Sequence, residues 1–245
     1  MEPGRHYSIL VTGDSISRGI IYDEGKGRYS VSDRGYVALV QRKLRGAIYN
    51  VARFGNTVVR GVGRLGKEIE RDRPDAVLFE YGGNDCDFAW GEVAASPESL
   101  HLPATELPLF EETLERALRE LKGEGIVPLL MSLPPLNADD YLAWVSGADP
   151  ETEGKILKWL GSVSKIYWWQ ERYSSSIVRL AERTSTPWID VRGAFLSRPD
   201  FRGLLCRDGI HPNEAGHELI AETVVDYVSA NFSHLLVEPS EAVLA

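Results

Sequence analysis

Three residues of this chain have the types and the spacing of a nucleophile, a base and an acid. Ser15 follows the apolar run Ile9–Val11, in the sequence Thr-Gly-Asp-Ser, and Asp208 precedes His211 by three residues. A serine becomes an effective nucleophile when a base removes its proton and an acid orients that base. We therefore predict acyl-transfer chemistry in which Ser15 attacks, His211 takes the proton and Asp208 holds the imidazole in one tautomer.

Acyl transfer also needs hydrogen-bond donors for the negative charge that develops on the carbonyl oxygen of the substrate. Asn84 has a side-chain amide and lies in the sequence Gly-Gly-Asn-Asp, and Gly55 offers a backbone N–H. Both donors are neutral, so a site that contains them buries no charge. Gly55 and Asn84 are therefore the candidate donors of an oxyanion hole.

The residues that could do this chemistry follow predicted strands. Short apolar runs bounded by glycine or polar residues predict five strands, and apolar residues at intervals of three and four predict five helices. The predicted strands are residues 7–11, 47–51, 75–81, 126–133 and 187–191. The predicted helices are approximately residues 36–45, 57–71, 110–121, 167–183 and 214–230.

Strands and helices alternate along the chain in one continuous series. This alternation predicts an α/β fold in which a mostly parallel five-stranded sheet carries helices on both faces. Neither a linker nor an internal repeat divides residues 1–245, so we expect a single domain. Parallel α/β sheets bind ligands at the carboxyl ends of their strands, so the polar residues after the strands should meet there.

Three segments are predicted to lack regular structure. Residues 19–35 are rich in glycine and predict a loop that leaves the site. Two longer insertions cover approximately residues 87–108 and 137–167. The second insertion is rich in aromatic residues, which suit contacts with sugar and acyl groups. The candidate substrate-binding residues are Trp90, Trp144, Trp168, Asp14 and Asp85.

Four segments together resemble the sequence blocks of the SGNH/GDSL hydrolase superfamily. They are Gly13–Ile16, Asn50–Gly55, Gly82–Asp85 and Asp208–Pro212, in the order of that family and after predicted strands. Isoleucine stands where the name GDSL has leucine. Ser17 occupies the last position of a Gly-x-Ser-x-Gly pattern, which argues against the larger α/β-hydrolase family.

The resemblance implies a flavodoxin-like three-layer α/β/α sandwich and a serine esterase or acylhydrolase. It also implies a catalytic triad of Ser15, Asp208 and His211. The oxyanion hole would consist of the backbone N–H groups of Ser15 and Gly55 and the side chain of Asn84. Neither a metal nor another cofactor is expected for this chemistry.

The substrate that the resemblance favours is a small ester, in particular an acetyl ester of a carbohydrate or a metabolite. A lysophospholipase-like or thioesterase-like acylhydrolase is an alternative, and so is a non-catalytic protein that binds a ligand on the same fold. Nucleotide binding is a further alternative, because Gly61–Gly66 matches G-x-G-x-x-G and Glu80 follows at nearly the right distance. The strand required before that motif is too short, so close packing of a helix explains its glycines better.

The composition is that of an acidic globular protein. The 27 Lys and Arg residues and 36 Asp and Glu residues give a formal net charge of −9, which disfavours a nucleic-acid partner. The apolar runs are shorter than the ~20 residues of a membrane span. The N-terminal residues contain no apolar signal region, so we expect a cytoplasmic protein. The sequence does not indicate an oligomeric state.

The cysteines and His217 indicate neither a metal site nor a redox site. Cys86 and Cys206 are too few for a disulfide framework, and they predict buried free thiols. His217 follows His211 by six residues, a spacing outside the standard zinc patterns. We expect His217 on the outer face of the last helix.

Overall fold

Five parallel strands form the central sheet of the protein. The computed structural model describes residues 7–237; residues 1–6, on which part of the expected location rests, lie outside it. The strands are β1 (Ser8–Gly13), β4 (Ala47–Asn50), β5 (Ala76–Glu80), β6 (Val127–Met131) and β7 (Trp188–Ile189). Their order, β4-β1-β5-β6-β7, confirms the predicted mostly parallel five-stranded sheet.

Helices cover both faces of this sheet and make the molecule three layers thick. One face carries α3 (Val58–Asp72), α5 (Leu107–Gly123) and α8 (Ser164–Thr184). The other face carries α2 (Tyr36–Gln41), α9 (Val191–Leu196) and α10 (Glu214–Phe232). Successive residues of a strand point to opposite faces, so Leu10 packs in the first core and Val11 in the second. None of the helices in residues 7–237 is long and apolar enough to cross a membrane.

The register of the strands aligns the carboxyl ends of β1, β4 and β5. Val11 pairs with Asn50, and Gly13 pairs with Glu80. The chain after each of these strands therefore begins at nearly the same level of the sheet. The predicted meeting of the polar segments at one edge follows from this register.

The prediction of irregular segments is wrong for most of the second insertion and for a short stretch of the first. The first contains α4 (Trp90–Ala95), and the second contains α6 (Ala138–Val145), α7 (Pro150–Leu160) and the start of α8. Their apolar side chains form a third core, which includes Phe88, Tyr141 and Ile156. The missed signals are helix caps: the side chain of Asn137 accepts from Asp139 N at 3.3 Å, and that of Asp149 accepts from Thr152 N at 2.9 Å.

The glycine-rich segment 19–35 is also more regular than predicted. It contains the antiparallel hairpin of β2 (Ile20–Asp23) and β3 (Arg28–Val31), in which Tyr22 pairs with Tyr29. Gly27 in the turn has a φ of 61°, a conformation that favours glycine. The glycines that suggested a loop therefore mark the turn of a hairpin. A single four-residue helical turn, α1 (Ser15–Arg18), lies between β1 and this hairpin.

Candidate active site

Ser15 lies in a sharp turn at the end of β1, in a position that the sequence before it determines. A Cβ at Gly13 would lie 2.7 Å from the carbonyl oxygen of Glu80, so only glycine allows the two strands to approach this closely. The Asp14 carboxylate caps α1 by accepting from Ile16 N at 2.9 Å. Ser15 is the first residue of α1, so its N–H has no acceptor within the helix and is available to a ligand.

His211 and Asp208 approach Ser15 from the loop before α10. His211 Nε2 lies 2.9 Å from Ser15 Oγ, and His211 Nδ1 lies 2.6 Å from Asp208 Oδ2. An ionised carboxylate only accepts hydrogen bonds, so Nδ1 carries the proton and Nε2 is free to accept from the serine. Burial opposes ionisation of Asp208, but the hydrogen bond and the charge of His211 outweigh it and lower the pKa of Asp208 below its usual value.

Tyr29 is a site residue that the sequence analysis missed. Its hydroxyl donates to Asp208 Oδ2 at 2.8 Å, and its ring centroid lies 5.0 Å from that of His211. Burial and the charge of Asp208 raise the pKa of Tyr29 above its usual value, so the hydroxyl keeps its proton. The ring of Phe54 contacts that of Tyr29, with centroids 5.4 Å apart, and stacks on the His211 ring at 6.0 Å, 10° from parallel.

The candidate oxyanion donors lie beside Ser15. Gly13 O accepts from Arg53 N and from the Asn56 side chain, both at 3.2 Å, which holds the loop containing Gly55 against the end of β1. Gly55 has a φ of 69°, in the left-handed region. The Asn84 side chain donates to Asp14 Oδ2 at 3.0 Å, which fixes the direction of its amide.

A second buried carboxyl lies beneath Asp14. Glu80 Oε2 accepts from the backbone N–H of Ser17 at 3.2 Å and from its hydroxyl at 2.9 Å. Glu80 Oε1 is buried with no donor in the described part of the chain, and the Glu80 carboxyl is close enough to that of Asp14 for the two to interact. Burial raises the pKa of both groups, that of Glu80 more because the charge of Asp14 adds to it. One proton shared by the pair would join the two carboxyl groups by a hydrogen bond.

A cavity of about 290 Å³ opens over Ser15. Ser15, Gly55, Asn84 and His211 lie along its wall, and the rest of the wall is mainly aromatic and aliphatic. Among the expected substrate contacts, Asp14, Trp90 and Trp144 line this cavity. Trp169 lines it as well, in place of the predicted neighbour Trp168.

The structure places the other two expected substrate contacts outside this cavity. Trp168 is half exposed on the surface of α8, where the guanidinium of Arg172 lies 4.9 Å from its ring. Asp85 is fully buried and accepts from Val58 N at 3.0 Å, so it caps α3. Burial raises the pKa of Asp85 to about 7.

His217 does not lie on the outer face of α10. Its side chain is fully buried against α2, and its Nδ1 accepts from Tyr36 N at 3.3 Å. The expectation failed because His217 shares a helical stripe with the buried residues Ile220 and Val224, at intervals of three and seven. Burial lowers the pKa of His217 to about 4, so the ring is neutral.

The glycine motif Gly61–Gly66 lies inside the uninterrupted helix α3, without the preceding strand of a dinucleotide site. A Cβ at Gly61 would collide with Tyr81, so this glycine does permit close packing. Gly63 and Gly66 face open space, and packing does not explain them. Cys86 and Cys206 are buried free thiols, as predicted. No group of three or more His, Cys, Asp or Glu residues in the described ranges could hold a metal ion.

One protein-family model and one characterised relative match most of the chain. The model of the GDSL-like lipase/acylhydrolase family matches residues 11–219. Esterase TesA of Pseudomonas aeruginosa is 25% identical over 224 residues, which are 89% of this chain and 85% of TesA.

Solved structures with the same fold are more distant in sequence. A lipase/acylhydrolase from Enterococcus faecalis superposes with a TM-score of 0.64 at 22% identity, over 94% of this chain and 97% of its own. Axe2, an acetylxylan esterase from Geobacillus stearothermophilus, superposes with a TM-score of 0.61 at 22% identity, over 96% and 99% of the two chains.

Proposed function

The chain belongs to the GDSL-like lipase/acylhydrolase family of ester hydrolases, and we propose that it acts through Ser15, His211 and Asp208. The observation that carries the proposal is the continuous hydrogen-bonded series from Ser15 Oγ through the His211 ring to Asp208. Ser15 and His211 line a cavity that Gly55 and Asn84 also line. A protein that only binds a ligand does not need a base within 2.9 Å of a serine hydroxyl.

In the first half of the reaction, Ser15 Oγ attacks the carbonyl carbon of the ester while His211 Nε2 takes the serine proton. The negative charge on the carbonyl oxygen is stabilised by the N–H groups of Ser15 and Gly55 and by the Asn84 amide. Asp208 stabilises the imidazolium that forms. The C–O bond to the alcohol then breaks, and the alcohol leaves with the proton from His211.

The second half repeats these steps with water as the nucleophile. His211 Nε2 takes a proton from a water molecule, and the resulting hydroxide attacks the acyl carbon on Ser15. The same three donors stabilise the second tetrahedral intermediate. The bond to Ser15 Oγ then breaks, the serine regains a proton from His211, and the carboxylic acid is released.

We propose an ester of a small acyl group, in particular an acetyl ester of a carbohydrate or a related metabolite, as the substrate. The acetylxylan esterase among the structural neighbours supports this choice. The aromatic side chains of Trp90, Tyr141 and Trp144 in the cavity wall offer apolar contacts to the acyl group of such an ester.

One observation favours a longer acyl group as a second candidate. The cavity is about 290 Å³ and includes the apolar side chains of Leu136, Val145 and Ile166. Each further buried methylene would contribute about 0.8 kcal/mol to binding. A lysophospholipase-like or thioesterase-like acylhydrolase would use this space.

A series of p-nitrophenyl esters of increasing chain length tests both candidates, with wild type beside Ser15→Ala. We expect hydrolysis of the acetate by wild type and a loss of at least about 10³-fold in the variant. Rates that rise steadily with chain length would favour the second candidate. Equal rates in wild type and variant, with no labelling of Ser15 by a phosphonate reagent, would refute the proposed nucleophile.

A further inference from the structure

A second cavity adjoins the one that contains Ser15. It has a volume of about 280 Å³, and we call it the polar cavity because Thr57, Arg60 and Asp87 line it. Gly55 and Asn84, the candidate oxyanion donors, line both cavities. A carbonyl group bound at those donors would lie where the two cavities meet, so the two ends of an ester can enter different cavities.

Asp87 lines both cavities and has an unusual environment for a carboxyl group. Its Oδ1 accepts from Trp90 Nε1 at 2.8 Å and from the Tyr141 hydroxyl at 2.7 Å. Within the residues that the structure describes, no Lys or Arg forms an ion pair with it. Burial raises the pKa of Asp87 despite these hydrogen bonds. A half-buried carboxyl that is fixed in direction, has no ion-pair partner and faces a cavity can accept a further hydrogen bond from a ligand.

Thr57 and Arg60 supply hydrogen-bond donors, whereas the Asp87 carboxylate only accepts. Thr57 is buried at the start of α3, but its hydroxyl does not cap the helix, because Asp85 accepts from Val58 N instead. Arg60 is exposed one turn further along α3 and brings donors to the polar cavity. A hydroxyl group both donates and accepts, so it matches this combination of side chains.

We infer that Thr57, Arg60 and Asp87 form a subsite for the hydroxylated alcohol part of the ester, while the acyl group occupies the apolar cavity over Ser15. The inference rests on the proposed function and adds the residues that recognise the leaving group, an alcohol with at least one free hydroxyl close to the ester. Asp87 accepts from that hydroxyl, and Arg60 or Thr57 donates to it.

Two acetate esters of equal size test the subsite. Glycerol 1-acetate has two free hydroxyls, and 2-methylbutyl acetate has carbon at both positions. We expect wild type to prefer glycerol 1-acetate in kcat/KM by about tenfold or more, measured by acid release in a pH-stat. Asp87→Asn keeps an oxygen for Trp90 and Tyr141 but removes the anionic acceptor, so the preference should fall towards one.

Thr57→Val is a second variant. Valine keeps the shape of the side chain, lacks the hydroxyl and removes no hydrogen bond that caps α3. This variant should also reduce the preference for glycerol 1-acetate. Glu92→Gln is the matched control, because Glu92 is an exposed acid on α4 that lines neither cavity. The preference should be unchanged in this control. Thermal denaturation of each variant establishes that it is folded.

Several results would overturn the subsite. One is equal kcat/KM for the two esters in wild type, and another is an unchanged preference in both folded variants. Faster hydrolysis of acetylcholine than of either ester, lost in Asp87→Asn, would assign the site to cations instead. Wild type that hydrolyses p-nitrophenyl acetate but shows no preference refutes the subsite alone. Wild type that hydrolyses none of these esters refutes the proposed function.

Discussion

Asp208 is held by four hydrogen bonds. Its Oδ1 accepts from the backbone N–H groups of Ile210 and His211, both at 3.0 Å, and its Oδ2 accepts from His211 Nδ1 and the Tyr29 hydroxyl. The backbone donors fix the carboxylate relative to its own loop. Tyr29 fixes it relative to the β2–β3 hairpin, and it also draws negative charge away from the oxygen that faces His211.

Tyr29→Phe should lower kcat for p-nitrophenyl acetate by about tenfold, because one hydrogen bond to a charged group is lost. The lost hydrogen bond also frees the Asp208 carboxylate from the β2–β3 hairpin, so the carboxylate orients the His211 ring less well. Steady-state kinetics of wild type and variant measure the loss.

Tyr22→Phe is the control for this variant, since Tyr22 pairs with Tyr29 in the same hairpin but its hydroxyl does not contact Asp208. Its kcat should match that of wild type. A Tyr29→Phe variant with the kcat of wild type would show that Tyr29 only packs against the site.

Glu80→Gln should leave activity at neutral pH within about threefold of wild type, because the amide mimics a protonated carboxyl that donates to Asp14 and accepts from Ser17. The pKa of Glu80 is raised in the folded protein, so its contribution to stability is complete below its usual pKa and is lost as pH rises. Thermal denaturation from pH 5 to 10 should therefore show a smaller decline in the variant. A steeper decline in the variant would mean that Glu80 is ionised in the native protein.

At the scale of elements, the loop of Asp208 and His211 depends on helix α6. Asn137 N donates to Gly209 O at 2.8 Å, immediately before α6 begins. Gly209 has a φ of 73°, and a Cβ there would lie 2.6 Å from Asn137 O and 2.8 Å from Tyr141 N. The residue that separates Asp208 from Ile210 and His211 therefore has no room for a side chain.

Gly209→Ala should destabilise the fold by at least about 2 kcal/mol, from the left-handed backbone and the collision with α6. Activity should fall with it, because relief of the collision moves His211 away from Ser15. Gly154→Ala in α7 is the control: its Cβ would face open space, and alanine favours a helix by about 1 kcal/mol. Chemical denaturation measures both, and a Gly209→Ala variant as stable as wild type would contradict the packing described here.

The parts of the fold that could be predicted from the sequence are those with a strong periodic signal. Leu10 and Val11 in a continuous apolar run indicate a strand buried on both faces, and the stripe of Phe110, Leu114 and Leu118 indicates a helix. The β2–β3 hairpin and helices α6 and α7 were missed because glycines and aromatic residues obscured the period. Their starts are marked only by local caps and turns.

The candidate site likewise has residues that the sequence predicts and residues that it does not. Ser15 and Asn84 each follow a strand, and His211 lies in a recognisable block before the last helix, so the sequence predicts that they meet. Tyr29 could not be found, because it lies 179 residues from Asp208 in a segment with no block of its own. Asp87 has a recognisable place near Asn84, but only the cavities show what it faces.

At the scale of the whole molecule, the negative net charge is expected to disfavour anionic esters as substrates. The formal net charge is −9, and the described residues that line the cavity over Ser15 include Asp14 and Asp87 but no Lys or Arg. An anionic ester is therefore repelled both at a distance and within the site.

We expect kcat/KM for p-nitrophenyl hemisuccinate to rise severalfold as sodium chloride increases from 10 to 300 mM, because the Debye length shortens from ~30 Å to below ~8 Å. The rate for neutral p-nitrophenyl butyrate should stay constant and serves as the control. A fall in the hemisuccinate rate with salt would reveal attraction by a cationic patch near the entrance.

The contact between Gly209 and the start of α6 has a consequence for protein engineering. The helices of the two insertions have their own core, so they resemble a module that could be exchanged with a relative to change the substrate. Yet Asn137, at the entry to the second insertion, is hydrogen-bonded to the residue between Asp208 and Ile210. A chimera joined at Asn137 would therefore alter the position of the base together with the walls of the pocket. Junctions placed after Tyr141 would preserve that contact and make the exchange a change of specificity alone.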